Sequence, residues 1–223
     1  MPTSHYDQLN QVMELVSLTR PKKLLDIGVG FGKYGFLSRE YLELWHGSGK
    51  YDDWVTQIDG IEAFEKYLTP VHEYIYDRIY VGNALDVLPT LGDRYDLVLI
   101  IDVLEHFDYA DGLRLLTACR ERAENILISV PRNWRRQEAA FGNEYEIHRF
   151  HWSQRHLGRL KDVHFLYNPS SILCYMGVQG RKVVKQCKRN RHRRMLLRLI
   201  DGMKLRGLAL RILPSGRHSD ARA

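Results

Sequence analysis

The sequence predicts an α/β domain built on a largely parallel sheet, and three observations carry that expectation. A glycine loop, Asp26-Ile27-Gly28-Val29-Gly30-Phe31-Gly32, joins a short β-like run to a segment of helical spacing. Two continuous apolar runs, Tyr95 to Ile101 and Asn125 to Val130, suit strands buried on both faces of a sheet. Two last β runs flank Asn168-Pro169-Ser170-Ser171, whose turn chemistry makes them an antiparallel hairpin.

In chain order, Tyr6 to Leu18 places Leu9, Val12, Met13 and Val16 at amphipathic helical spacing, and Pro21 stops the helix. Lys23 to Ile27 is a strand, and Tyr34 to Trp45 resumes helical spacing. Gly47 to Asp53 is a polar connection. Trp54 to Ile61 reads as a strand, Ala63 to Leu68 as the start of a helix, and Pro70 as a break. Arg78 to Val81 is a third short strand and Tyr95 to Ile101 a fourth. Asp111 to Arg122 is helical, and Asn125 to Val130, closed by Pro131, is the fifth strand. A long aromatic and charged loop, Trp134 to His151, leads to a helix from Ser153 to Leu160 with Ser153 as its N-cap. Val163 to Tyr167 and Ile172 to Val178 form the hairpin. Strands alternating with helices, then a hairpin, fit one layered α/β domain, and 223 residues with 44% hydrophobic content suit one core.

The three cysteines, Cys119, Cys174 and Cys187, are odd in number and far apart, which argues against a disulfide framework or a thiolate metal site and for reduced thiols in the cytoplasm. No stretch is long and apolar enough for a spanning helix, and the first residues are too polar for a secretory signal. The net charge of +6 conceals an asymmetry. Residues 1–180 carry 19 Lys+Arg against 25 Asp+Glu, whereas residues 181–223 carry 14 against 2. The chain thus divides into an acidic body (1–180), a basic amphipathic helical tail (181–213, with Leu196, Leu199, Ile200 and Met203 at helical spacing) and a disordered end (214–223). Such a tail suits an anionic membrane surface, the body's own acidic face or a second subunit, or nucleic-acid phosphates.

The glycine loop lets backbone approach a ligand closely. Its third glycine comes one residue too early for a dinucleotide loop, so the spacing prefers a ligand without phosphates at that point. An acid follows at the end of the second strand, either Asp59 or, more naturally, Glu62, where a carboxylate accepts both hydroxyls of a ribose. After the third strand, the Asn83 amide oxygen is placed to accept from an adenine amino group.

Leu25 to Gly32, Gly60-Ile61-Glu62, Gly82-Asn83-Ala84 and Tyr95 to Phe107 together resemble the successive motifs of class I S-adenosylmethionine-dependent methyltransferases, over roughly residues 20–180. The resemblance implies a Rossmann-like, seven-stranded, mostly parallel sheet of order 3-2-1-4-5-7-6 with helices on both faces. It implies S-adenosylmethionine as cofactor, with Asp26, Gly28, Gly30 and Gly32 on the methionine part, Glu62 on the ribose, Asn83 and Ala84 on the adenine, and Asp102 beside the sulfonium and amino group.

The acceptor side rests on two clusters. His106, in Asp102-Val103-Leu104-Glu105-His106-Phe107, titrates near neutrality as a free side chain and is the first candidate general base; the alternative is that Glu105 and His106 cap or orient the next helix. Asn143 to Trp152 holds His148, the second catalytic candidate, with Tyr145 and Arg149 as acceptor contacts. This composition fits O- or N-methylation of a small polar or glycan-like acceptor. Asp102, Glu105, His106 and His148 also make a candidate divalent-metal set. It is similar to the acid-x-x-Glu-His set plus a later His of the small-RNA 3′-end 2′-O-methyltransferases, where it binds magnesium, although the first acid here is the shorter aspartate. An RNA 2′-O-methyltransferase and a non-catalytic binding module of the same fold are therefore the competing expectations.

Overall fold

The structure is a computed structural model, and it describes residues 3–45 and 53–202. Helix α1 (Leu9–Thr19) leads into β1 (Lys23–Ile27) and α2 (Lys33–Arg39), then β2 (Gln57–Glu62), α3 (Pro70–Ile75), β3 (Arg78–Val81) and α4 (Ala84–Val87). The second half comprises β4 (Leu97–Ile101), α5 (Tyr109–Arg122), β5 (Asn125–Pro131), α6 (Gln154–Leu157), β6 (Val163–Tyr167), β7 (Ser171–Gly177) and α7 (Gly180–Gly202).

The seven strands form one sheet in the order β3-β2-β1-β4-β5-β7-β6. β3, β2, β1, β4 and β5 run parallel, whereas β7 is antiparallel to both β5 and β6. Both the expected order and the closing hairpin are present. Alternate residues of each strand feed opposite faces. Leu25, Val98 and Ile128 pack toward α4 and α5, while Leu24, Leu97 and Leu127 pack toward α1, α2 and α7. Burial on both faces explains why β4 and β5 read as unbroken apolar runs. The chain leaves β1 for β2 and β3 on one side and returns through β4 on the other, so a crevice opens at the carboxyl ends of β1 and β4.

Several boundaries differ from the sequence expectation. The Tyr34 to Trp45 helix is α2 followed by a π-helical turn, Glu40–Leu44. β2 starts at Gln57 and reaches Glu62; Trp54 lies outside it. The expected helix at Ala63 to Leu68 is a single 3-10 turn, Glu65–Tyr67. Pro70 opens α3 rather than breaking it, because proline lacks only an N–H that a first helical turn leaves unpaired, and Thr69 with His72 closes a capping box over it. Asp108, not Glu105 or His106, caps α5. Ser153 caps α6 as expected, and Asn168 Oδ1 accepts the Ser170 and Ser171 N–H groups in the hairpin turn.

Cys119, Cys174 and Cys187 are free and buried, and among the described residues no helix is long and apolar enough to cross a membrane. Helix α7 continues the fold, since Val183, Val184 and Cys187 are buried in the same core layer as α1. Most of the Gly47 to Asp53 connection, the tail beyond Gly202, with Met203, and the expected disordered end lie outside the described residues.

Candidate active site

The glycine loop leaves β1 with Gly28, Gly30 and Gly32 all at positive φ (73°, 53° and 82°), a region that side chains other than glycine rarely adopt. At Gly28 an added Cβ would also lie 2.5 Å from Val103 Cγ2. Gly30 faces open space, the nearest atom to a Cβ there being the Gly28 oxygen at 4.0 Å. The loop is therefore held tightly at its base and open at its middle, which fits a ligand lying against bare backbone.

Two side chains hold that middle glycine. Glu62, at the tip of β2, accepts the Gly30 N–H at 2.9 Å and the Phe64 N–H at 2.8 Å. Burial raises its pKa, although these two N–H groups act the other way. His72, from α3, accepts the Thr69 N–H on Nδ1 (3.0 Å), so its proton is on Nε2 and is donated to the Gly30 carbonyl at 2.9 Å. Asp26 lies beneath the loop and accepts the Tyr76 hydroxyl at 2.7 Å. Desolvation pushes Asp26 up to about 7; the Tyr76 hydrogen bond opposes this and the nearby Glu62 charge adds to it. Asp59, the other acid of β2, is fully buried within the strand, its Oδ2 accepting Tyr95 (2.8 Å) and Gln57 (2.7 Å) and its Oδ1 unpartnered, whereas Glu62 ends the strand and is the carboxylate at the sheet edge. Asn83 caps α4, its amide oxygen accepting the Leu85 N–H at 3.0 Å, and Ala84 is buried beside it.

Across the crevice Asp102 follows β4 with φ 54°, a strained conformation for aspartate. Its carboxylate accepts Gln8 Nε2 at 2.6 Å and Ser129 Oγ at 2.8 Å. Gln8 Oε1 also lies against Ser129 Oγ, whose single hydrogen it shares with the Asp102 carboxylate, and Gln8 Nε2 reaches the Tyr34 hydroxyl at 3.4 Å. Desolvation raises the Asp102 pKa; the hydrogen bonds and the Lys33 charge counter it. Lys33 in turn holds Thr3 Oγ1 (2.6 Å) and the Ser4 carbonyl (3.2 Å), so the segment before α1 lies along this end of the crevice. Gln8 carried no sequence signal, because it precedes the first apolar position of its helix.

Beyond Asp102 the chain brings His106 and His148 together, with ring centroids 5.1 Å apart. His106 Nδ1 meets the Ile147 carbonyl at 3.3 Å and His148 Nδ1 meets the Arg135 carbonyl at 2.7 Å. A carbonyl only accepts, so each Nδ1 carries hydrogen and, in the neutral rings, Nε2 is the nitrogen that bears the lone pair. Burial, then the neighbouring His148, pushes His106 down to about 4, so it does not titrate near neutrality as the free side chain would. Burial also lowers His148. Glu105 is buried with Oε2 unpartnered and its pKa raised well above the ordinary range by desolvation. One ligand atom from each of Glu105, His106 and His148 lies within 4.8 Å of the others. Asp102 stands outside that group, its oxygens taken by Gln8 and Ser129.

Trp134 packs on His148 at a tilt (centroids 5.5 Å apart, 46° between planes), Tyr145 is 49% exposed, and Arg149 is exposed. Tyr67 donates to Glu146 at 3.2 Å, tying the segment after β2 to the loop that carries His148. Trp134 and Tyr67 were not among the sequence candidates, Tyr67 falling in an expected helix and Trp134 at the far start of the long loop.

This strand order, with a glycine loop after β1 and an acid ending β2, decides the architecture. The fold is that of the class I S-adenosylmethionine methyltransferases. No family model and no curated protein matches the chain. Among solved structures, the N-terminal domain of EvdMO1, crystallised in the presence of SAH and D-fucose, is 14% identical with TM-score 0.56, over 79% of this chain and 84% of that one. The methyltransferase domain of bacterial CtHen1 is 19% identical with TM-score 0.53, over 77% of this chain and 98% of that one. An O-methyltransferase family protein from Burkholderia thailandensis is 13% identical with TM-score 0.53, over 75% of this chain. This chain spans 55% of the length of the Burkholderia protein. These likenesses extend to the class I fold, and the roles of individual residues rest on the site geometry above.

Proposed function

We propose that the chain is an S-adenosylmethionine-dependent methyltransferase acting on an O or N atom of a small polar or glycan-like acceptor. The observation that carries this reading is the junction of Glu62 with the open middle of the glycine loop, where a carboxylate able to accept ribose hydroxyls lies beside backbone with no side chain. Gly28, Gly30, Gly32 and Asp26 would receive the methionine part, Glu62 the ribose, Asn83 and Ala84 the adenine, and Asp102 the amino group. When bound, the cofactor supplies an electrophilic methyl group on a sulfonium.

The protein's share of such a displacement is alignment and exclusion of water. Trp134, Tyr145 and Arg149 offer a planar face, a phenol and a cation to a polar ring. His106, neutral above about pH 4, takes the acceptor's proton on Nε2 while Ile147 holds its Nδ1–H. His148, fixed by Arg135, is the neighbouring acceptor for that proton. The buried free thiols suit a reducing, cytoplasmic location. The test is methyl transfer to panels of sugars, phenols and amines, read as a gain of one methyl by mass. Product with a hydroxylated ring and none with apolar acceptors is expected; transfer confined to apolar acceptors contradicts the assignment.

A metal-assisted RNA 2′-O-methyltransferase is the second reading, favoured by the meeting of Glu105, His106 and His148. The unpartnered Glu105 oxygen and the two imidazole Nε2 atoms fit a divalent cation, which would polarise an acceptor hydroxyl. One oxygen and two nitrogens suit manganese, iron or zinc better than magnesium. Transfer to a short RNA that manganese stimulates and a chelator abolishes supports this reading; chelator-insensitive activity removes it. A non-catalytic module of the same fold would bind neither cofactor nor acceptor.

A further inference from the structure

Helix α7 has two unlike faces. Val183, Val184 and Cys187 are buried against the sheet, and Asn190 and Arg194 anchor the helix to Glu14 of α1 at 2.8 and 2.7 Å. On the opposite side runs an exposed ridge, Arg181, Lys185, Lys188, His192, Leu196 and Leu199, at successive spacings of four, three, four, four and three residues. It is basic at its start and apolar at its end. Met195, Leu196 and Leu199 are 57%, 39% and 55% exposed.

The direction of α7 relates this ridge to the crevice. The helix starts beside the amino end of β5, where Val178 N–H donates to Glu124 and Gln179 N–H to Asn125 Oδ1. Arg191 then reaches the Tyr167 carbonyl, at the end of β6 that lies level with the carboxyl end of β5. At ~1.5 Å per residue, the residues from Arg191 to Gly202 carry the helix ~16 Å further, past the edge at which the crevice opens.

We propose that the outer ridge of α7 docks on an anionic lipid surface, Met195, Leu196 and Leu199 entering the headgroup layer and the basic residues meeting the lipid charge. Basic residues followed by exposed aliphatic ones on one helical face match a charged interface with an apolar layer beneath it. Nucleic acid would engage the charges but leave Met195, Leu196 and Leu199 in water, and the ridge carries no Phe, Tyr or Trp on which bases could stack, His192 being its single ring. A second copy of the chain would bring like charges together around an apolar patch of three side chains, far below the area of a stable interface. The docking does not rest on the cofactor reading.

The test is flotation of the full chain with phosphatidylcholine vesicles, with and without about one-third phosphatidylglycerol. Flotation with the anionic vesicles alone is expected, weakened about fivefold by Lys185→Ala. The pair Met195→Glu and Leu199→Glu, on exposed positions, is expected to weaken it at least tenfold while leaving the melting temperature and S-adenosylmethionine affinity unchanged. No flotation overturns the proposal, as does equal flotation of the parent and the double variant. A short RNA bound more tightly than the vesicles overturns it in favour of nucleic acid, and dimerisation abolished by the two Glu substitutions overturns it in favour of a second copy. Normal flotation without S-adenosylmethionine binding would retain the docking and remove the cofactor reading.

Discussion

The Glu62 carboxylate, ending β2, holds the Gly30 N–H of the loop that follows β1 at 2.9 Å, while His72 holds the same residue's carbonyl. Glutamine at position 62 keeps the shape but offers one oxygen to two N–H donors, Gly30 and Phe64, so one of them would face an amide NH2. Glu62→Gln is therefore expected to weaken S-adenosylmethionine binding at least tenfold by calorimetry with a small change in melting temperature. His72→Ala, which frees the carbonyl alone, is expected to weaken it less.

Asp26 makes stability depend on pH. Its folded-state pKa, raised to about 7, exceeds the ordinary value of 3.8, so the folded chain retains a proton that the unfolded chain has lost. The stabilisation is present below about pH 4 and is lost as pH rises through about 7, at up to about 1.4 kcal/mol per unit. Asp26→Asn removes this dependence. In urea unfolding, the parent is expected to gain on the variant as pH falls from 7 to 4; a constant difference would contradict the assignment.

His106, held at about 4, is neutral across the physiological range. If it accepts the acceptor's proton, kcat/KM has no break between about pH 5 and 8 arising from this residue, whereas an unperturbed imidazole would give one near 6.5. His106→Gln is expected to lower kcat roughly 10²- to 10⁴-fold with S-adenosylmethionine affinity preserved.

Gly112 lies where a Cβ would come within 2.3 Å of Trp152 Cζ2. Trp152 is buried and donates its indole N–H to the Leu104 carbonyl at 3.0 Å, thereby fixing the turn that carries Glu105 and His106. Gly112→Ala is expected to cost about 1–3 kcal/mol in chemical unfolding and to lower kcat more than it changes cofactor affinity.

The parts legible in the sequence are those set by local pattern. β4 and β5 read as apolar runs because both faces are covered, and the loop from Gly28 to Gly32 showed itself because its backbone admits little else. Glu62 could be located because it ends a strand. Contacts between distant segments left no local trace: Gln8 meets Asp102 across 94 positions and Tyr76 meets Asp26 across 50. Pro70 was misleading because the same residue that breaks a helix interior is welcome at its first turn. His106 was legible as a candidate base, but its depressed pKa depends on burial that no spacing reveals.

The central claim is that the crevice between β1 and β4 binds S-adenosylmethionine. Titration calorimetry of the full chain with this cofactor tests it most directly. One site per chain with micromolar affinity, weakened by Glu62→Gln, is the expected result, and no binding at millimolar cofactor by a folded chain would contradict it.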